Sequence, residues 1–393
     1  MYLLPLVSLL PAVLAASSAS TADNTNSATS ASSANSGSST TSSSSASDTT
    51  LTNKRYTYPD LPYQVDTSDG PRGLMQGYNM CNSTTENQDS MCVTGWMNNI
   101  SDWCVWGSPT VNGLIADVEG ETVAWCSNSG HGSRIIPNGA IRGVQWLTTP
   151  DYVQIAGVID QAAIDLASND TGGEMDPWGA DYRGNPIGSL VFSTAFSNSS
   201  SSIQQVIYWN NFMGNNYFCF KACNPSSTQG TSLCQHTYDE VGCQYNIIAD
   251  YANLEGKFET CDSDNALPVG VYVGTDGITS TWTQPPESVT NYTIPYTPSI
   301  PSSSNCVTYT STQIFTAGVT VSAASGVSTE PLSSTLGTMT SGKTSDASAT
   351  GSGDTSAKSE SSGAPLGHLD TSTVTTVVLP LALTLVTSFF YLL

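Results

Sequence analysis

Between residues 56 and 306 the apolar positions fall into short runs, alternating or β-branched, separated by turn dipeptides. Thr122-Val-Ala-Trp125, Val144-Gln-Trp146, Val153-Gln-Ile155, Leu190-Val-Phe192 and Val206-Ile-Tyr-Trp209 each read as a strand. Asp69-Gly70, Asn112-Gly113, Asn138-Gly139 and Asp276-Gly277 accept positive φ and mark turns. Gly270-Val-Tyr-Val-Gly-Thr-Asp276-Gly277-Ile278, followed by Thr281-Trp282, predicts a hairpin. Amphipathic helix is expected at residues 159–166 and near 238–251, though neither stretch has a clean cap. The expected fold is β-rich: a single disulfide-stapled domain, a sandwich or an irregular barrel, flanked by disordered Ser/Thr-rich segments.

Outside that block the pattern disappears. Residues 1–15 form an apolar run with Val13 and Ala15 at the −3 and −1 positions of a signal-peptidase site, and read as a signal peptide. Residues 16–55 are a Ser/Thr-rich segment with too little apolar area to offset the entropy of ordering; between Ser17 and Thr52, 23 of 36 residues are Ser or Thr. The segment reads as a propeptide ending at the dibasic pair Lys54-Arg55, where cleavage would free Tyr56. After the globular block at 56–306, residues 307–362 return to 26 Ser or Thr in 56 and read as an O-glycosylated stalk. In 363–393, small residues, a polar spacer and an apolar tail form a glycosylphosphatidylinositol (GPI) signal that is removed, with Ser362 as the expected attachment residue and Ser361 and Gly363 beside it.

Charge narrows the choice of partners. The block has six basic residues against twenty-five acidic ones, and over the whole chain only 11% of residues are charged. Such a surface repels phosphate backbones, so no nucleic-acid partner is expected. Its polarity must come mainly from Ser, Thr, Asn and Gln, which suits a glycan coat. Five sequons, at Asn82, Asn99, Asn169, Asn198 and Asn291, all lie inside the block and are expected on solvent-facing loops or edges.

All ten cysteines lie there too: Cys81, Cys92, Cys104 and Cys126, then, after a long gap, Cys219, Cys223, Cys234, Cys243, Cys261 and Cys306. In an exported chain an even number implies disulfides; if each group pairs internally, three and fifteen connectivities remain open. Cys219-x3-Cys223 lacks further ligands at matching spacing for zinc, and no metal or cofactor is expected.

Candidate chemistry is sparse. Asp170-Thr171-Gly172 matches an aspartic-protease triplet by letters, but it belongs to a sequon and has no second copy. His131 and His236 have no nucleophile elbow to serve. Asp262-Ser-Asp264-Asn265 opens like a calcium loop, but Ala266, Leu267 and Val273 break the pattern. Glu174, Asp176 and Asp181, around Pro177-Trp178 and Tyr182, form the most site-like patch: an aromatic ring could stack on a sugar while the acids bind hydroxyls or protonate a leaving group.

The series Arg134-Ile-Ile-Pro-Asn-Gly139, Thr149-Pro-Asp-Tyr-Val153, Asp181-Tyr-Arg-Gly-Asn-Pro186, Asn211-Phe-Met-Gly-Asn-Asn-Tyr-Phe-Cys219, Cys234-Gln-His236 and Thr283-Gln-Pro-Pro-Glu-Ser288 resembles the fungal macrophage-activating glycoproteins over residues 81–306. With its anchor signal, the architecture is similar to that of the GPI-anchored immunoreactive mannoproteins of cryptococcal yeasts. The resemblance implies a heavily mannosylated protein of the cell surface and cell wall, held to the membrane by GPI lipid. It also implies an immunoreactive antigen whose sugars are read by host mannose-binding lectins and whose peptides are read by T cells. No catalytic residues carry over, and a non-enzyme is expected. The alternatives are a cell-wall glycosidase or transglycosylase using the Glu174, Asp176 and Asp181 patch, or a non-catalytic wall-polysaccharide-binding module using Trp178 or Trp209.

Overall fold

The computed structural model describes residues 50–197, 202–289 and 291–317. The signal peptide, most of the Ser/Thr-rich leader, Asn198, most of the stalk, Ser362 and the tail lie outside the described residues.

The alternating runs become strands β1 (Thr94–Asn99), β2 (Asp102–Gly107), β3 (Val123–Cys126), β4 (Arg134–Ile135), β5 (Ile141–Thr148), β6 (Tyr152–Ile159), β7 (Gly173–Met175) and β8 (Leu190–Ser193). They continue with β9 (Gln204–Val206), β10 (Trp209–Gly214), β11 (Tyr217–Cys223), β12 (Phe258–Ser263), β13 (Val271–Val273), β14 (Thr279–Thr281) and β15 (Ser303–Thr308). One sheet has six strands in the order β4-β3-β2-β1-β8-β9; the other has seven in the order β15-β12-β5-β6-β11-β10-β7. The β3–β4, β1–β8 and β5–β12 pairs are parallel and the remaining pairs antiparallel. The predicted hairpin forms as β13–β14, with the left-handed conformation its turn needs at Gly277.

The expected helices are much shorter than their sequence pattern. Residues 161–164 make a 3-10 turn after β6, and the second stretch yields a 3-10 turn at Asp239–Val241 and a five-residue α-helix, Gly242–Asn246. The first is capped by Asp160, whose side chain accepts from the Ala162 N–H (3.3 Å); the other two have no side-chain cap, and segments this short depend on packing. The run ending at Trp209 is also interrupted: β9 stops at Val206 and β10 begins at Trp209, so the chain leaves one sheet and enters the other.

Aromatic side chains lock the two sheets face to face as a sandwich. Trp106 of β2 stacks on Trp209 of β10 at 4.6 Å between centroids, and Trp103 stacks on Phe218 of β11 at 5.1 Å. All four are essentially water-free. Each outer face is covered in turn. Leu51, Leu61 and Val65, with Tyr56 and Tyr58, pack over Trp96, Leu190 and Phe192 of the six-stranded sheet. Ile247, Ala249, Tyr251 and Leu254 pack over Ala156, Val158 and Phe212 of the seven-stranded sheet. Packing therefore reaches past residues 56 and 306 on both sides: Leu51 is buried, and Ile314 is buried in the main core with Tyr309 and Phe315 against it.

The cysteines pair within their two groups, as Cys81–Cys92 and Cys104–Cys126, then Cys219–Cys243, Cys223–Cys234 and Cys261–Cys306. No described cysteine is free. The two bonds from β11, at Cys219 and Cys223, pin the covering segment to the seven-stranded sheet.

One close approach in that cover gives a direct test. A Cβ on Gly143 of β5 would lie 1.8 Å from the Leu254 carbonyl oxygen, and backbone cannot swing aside as a side chain can. Gly143→Ala is expected to cost about 1–3 kcal/mol by overpacking, read as a lower thermal midpoint. An unchanged midpoint would refute the contact.

Candidate functional site

The acids singled out in the sequence gather at the β7 edge of the seven-stranded sheet. Gly172, at φ +93°, lets the chain run against β10: a Cβ there would lie 1.8 Å from the Met213 carbonyl oxygen. β7 then pairs with β10 in the register Met175–Asn211, Glu174–Phe212 and Gly173–Met213, which turns Glu174 to the face away from the inter-sheet core. After β7, Asp176 and Asn185 exchange backbone hydrogen bonds (3.1 and 2.8 Å) and close the loop between them. The Asp176 carboxylate accepts from the backbone N–H groups of Trp178 (2.6 Å) and Gly179 (3.0 Å).

The three acids have different fates. Asp181 is paired with two guanidinium groups, Arg72 and Arg183, and its carboxyl sits low: burial works to raise it, but the Arg72 hydrogen bond and both positive charges outweigh that. Asp176 is buried and pushed up to about 6 by desolvation, despite its two backbone donors and the nearby Arg72 charge. Glu174 is 3% exposed, neither of its carboxyl oxygens has a hydrogen-bond partner, and burial with the neighbouring Asp176 and Asp239 charges holds it well above the carboxylate range.

Two further acids belong to the cluster and carried no sequence signal. Glu119, half-buried, is raised to about 8 by burial and the Asp176 charge. Asp239 faces the group from the covering segment and accepts from the Gln284 side chain. Arg72 crosses to it from a distant loop, donating to the side chains of Asn185 and Asp181 and to the Gly184 carbonyl (2.8 Å). Burial thus shifts three of these carboxyls, Glu119, Glu174 and Asp176, toward their protonated forms.

The aromatic half of the patch is engaged within the protein. Trp178 is half-buried and stacks with His236 (4.0 Å) and with Tyr208 (5.7 Å), and Trp209 is 1% exposed in the core stack. Trp209 has no free ring face, and the Trp178 ring is already taken up by its neighbours rather than presented as a platform. Tyr182 is exposed.

The other candidates have structural roles. Asp170 caps a turn, accepting from the N–H groups of Ile115 (2.8 Å) and Gly172 (2.9 Å). His131 pairs with Asp102 and stacks on Trp96 at 4.7 Å. Asp262 accepts from Asn305, while Asn265 donates to Asp151. At the dibasic pair Arg55 is exposed, but Lys54 donates to the Val65 carbonyl (2.6 Å) and lies 3.8 Å from Asp66. Of the sequons, Asn82, Asn99, Asn169 and Asn291 are all exposed. Asn82 already has the local geometry of a sequon turn, its Oδ1 accepting from the N–H (2.9 Å) and hydroxyl (2.7 Å) of Thr84.

A β-sandwich closed by five disulfides, with each described sequon at its surface, is a domain built for an oxidising compartment. The chain is 42% identical over 228 residues to appressorium protein ROW1 of Mycosarcoma maydis, a match covering 56% of this chain and 53% of ROW1. It is 37% identical over 233 residues to appressorium protein ROW2 of the same fungus, covering 58% of this chain and 75% of ROW2. The chain belongs to this fungal family of ROW appressorium proteins, which points to a secreted or cell-surface protein. It spans about half the length of ROW1. No family model matches it, and no solved structure matches it.

Proposed function

We propose that the sandwich is the folded head of a glycan-coated fungal surface protein, carried on an O-glycosylated stalk and tethered by a GPI lipid at Ser362. The observation that carries this reading is the exposure of Asn82, Asn99, Asn169 and Asn291 on a domain with few charges of its own. A mannose-rich coat would supply the missing polarity. It would also supply the ligand for host mannose-binding lectins, as the resemblance to immunoreactive mannoproteins implies. The ROW relatives are named for the appressorium, which favours action where a fungal surface meets its surroundings.

In this reading the head acts by presentation and contact rather than turnover. Glu174 and Asp176 are buried, Trp209 is buried in the core, and the Trp178 ring is engaged by His236 and Tyr208. This argues against the glycosidase and the Trp-based binding module alike.

The test uses native material from fungal culture. Treatment with phosphatidylinositol-specific phospholipase is expected to release it from the cell surface. N-deglycosylation followed by mass spectrometry is expected to remove a large mass excess and mark the four exposed asparagines. Native protein at its bare polypeptide mass, with its C-terminal apolar residues still attached, would overturn the reading.

A further inference from the structure

Three buried polar groups on neighbouring strands of the seven-stranded sheet lack the partners that burial demands. Lys221 of β11 is 3% exposed, and no ion pair among the described residues includes it. Its Nζ donates to two carbonyl oxygens, those of Asn246 and Leu233 (3.3 Å), and lies 4.8 Å from the Tyr152 ring centre. Asn210 of β10 is 1% exposed, and its Oδ1 accepts nothing. Glu174 of β7 is the third, with both carboxyl oxygens unpartnered. An isolated buried charge or unmet polar group carries a penalty that folded proteins rarely leave standing.

Their registers put them together. Asn210 lies directly opposite Lys221, so their Cβ atoms are about 4.5–5.5 Å apart. Glu174 lies opposite Phe212, two residues along β10 from Asn210 and therefore on the same face, one diagonal step away. The Asn210 amide is near enough to bear on the Glu174 carboxyl, though no hydrogen bond has closed between them. Phe212, Tyr152 and the Cys219–Cys243 bond keep water out around them.

We propose that Lys221 and Asn210 join in an intramolecular isopeptide bond, with Glu174 as the proton-transferring acid. In the step, the neutral Nζ of Lys221 attacks Cγ of Asn210 while the Glu174 carboxyl gives its proton to Oδ1. The proton shed by Nζ passes through Glu174 to Nδ2. The Cγ–Nδ2 bond then breaks, ammonia leaves, and Glu174 recovers its proton as the new amide carbonyl forms. One C–N bond forms, one breaks, and nothing is oxidised or reduced.

The resting state suits each role. Nδ2, the leaving nitrogen, is held by the Gln235 carbonyl (3.2 Å), which leaves Oδ1 open to a proton donor. Desolvation lowers Lys221 to about 7, so a neutral amine is present near neutral pH, and the same burial pushes the Glu174 carboxyl toward its protonated form. The product replaces a buried amine and a buried primary amide by one secondary amide. It also ties β10 to β11 with a bond that reducing agents cannot cut.

Peptide mapping of the full chain, secreted from a fungal host, reduced and N-deglycosylated, decides the matter. Trypsin does not cut at an acylated lysine. The expected product is a peptide of residues 184–257, about 17 Da light for the lost ammonia, in place of separate peptides 184–221 and 222–257. Fragment ions should join Lys221 to Asn210. Recovery of the two separate peptides at full mass would overturn the proposal, as would a link from Lys221 to Asn246 instead.

Two variants keep the test sharp. Asn210→Asp should form the same bond with loss of water, about 18 Da below its own unlinked mass, whereas a deamidation or succinimide artefact would not block cleavage at Lys221. Glu174→Gln should give folded chain that is cut normally at Lys221. A Glu174→Gln protein that still carries the link would remove the acid from its role.

Discussion

Arg183→Ala is expected to lower stability by about 3–5 kcal/mol, because it leaves the buried Asp66 carboxylate with only the long Lys54 contact (3.8 Å) as counter-charge. Arg183 and Asp66 are each 3% exposed, with 3.2 Å between guanidinium and carboxylate. The same side chain donates to the carbonyls of Ser68 (2.7 Å) and Gly73 (2.8 Å), so it stitches the loop at 66–73 to the loop that closes over the acid cluster. For a domain of this size the loss corresponds to about 2–4 °C in thermal midpoint per kcal/mol. Arg183→Lys should recover little of it, since one ammonium cannot span the two carbonyls and the carboxylate that the planar fork reaches. The paired change Asp66→Asn with Arg183→Met should cost less than Arg183→Ala alone, because it removes both charges of the buried pair, while Asp181 keeps Arg72 and Lys54 is only part-buried. Thermal unfolding of the three variants checks the order. Arg183→Ala matching the wild type would mean that Asp66 is solvated in solution.

The fold was legible wherever a strand alternates or is β-branched. Val144-Gln-Trp146 and Val153-Gln-Ile155 lie in paired strands, and the Asp276-Gly277 turn sits at the tip of its hairpin. What the local pattern could not carry was the pairing of distant strands. The parallel β1–β8 contact joins segments nearly a hundred residues apart, and the step from β9 to β10 interrupts a run that reads as one strand. The disulfides follow from that pairing rather than from spacing: Cys104 meets Cys126 because β2 and β3 are neighbours in that register.

The acid site was legible only in part, and for the same reason. Glu174 and Asp176 stand out beside Trp178, but Glu119, Asp239 and Arg72 reach them from segments far away along the chain, where nothing local points to the cluster. Lys221 did leave a trace. It has the same strand parity as Cys219 and Cys223, both buried and disulfide-bonded, so alternation already turns its ammonium inward.

Raising the pH from about 5 to about 8 is expected to destabilise the domain, the reverse of what carboxylates in ion pairs produce. Asp176 has an ordinary value of 3.8 and a folded value of about 6; Glu119 goes from 4.5 to about 8, and Glu174 moves in the same direction. Between those limits the folded state holds protons that the unfolded chain has released. Their contribution is therefore fully present below about pH 4 and is lost as pH rises through 6 and then 8. Across the whole interval from 3.8 to about 6 the Asp176 shift corresponds to about 3 kcal/mol at 1.36 kcal/mol per unit, of which about 1.4 kcal/mol falls above pH 5.

Other groups set the edges of this window. Asp66, Asp102 and Asp181 are held below their ordinary value: burial raises each, but hydrogen bonds and charge from Arg183, His131 and Arg72 prevail. Their stabilisation is present above pH 3.8 and fails as pH falls further, so maximum stability belongs near pH 4–5. His236, lowered by burial, opposes the loss only below its ordinary 6.5, and Lys221, if still a free amine, opposes it only above about 7. The acids outweigh both, because three of them share one desolvated pocket with a single nearby guanidinium, Arg72. Thermal midpoints at pH 5 and pH 8 in matched ionic strength measure the difference, and Asp176→Asn with Glu119→Gln should flatten the profile. A midpoint at pH 8 equal to or above that at pH 5 would mean that water reaches these carboxyls and that the cluster does not hold its protons.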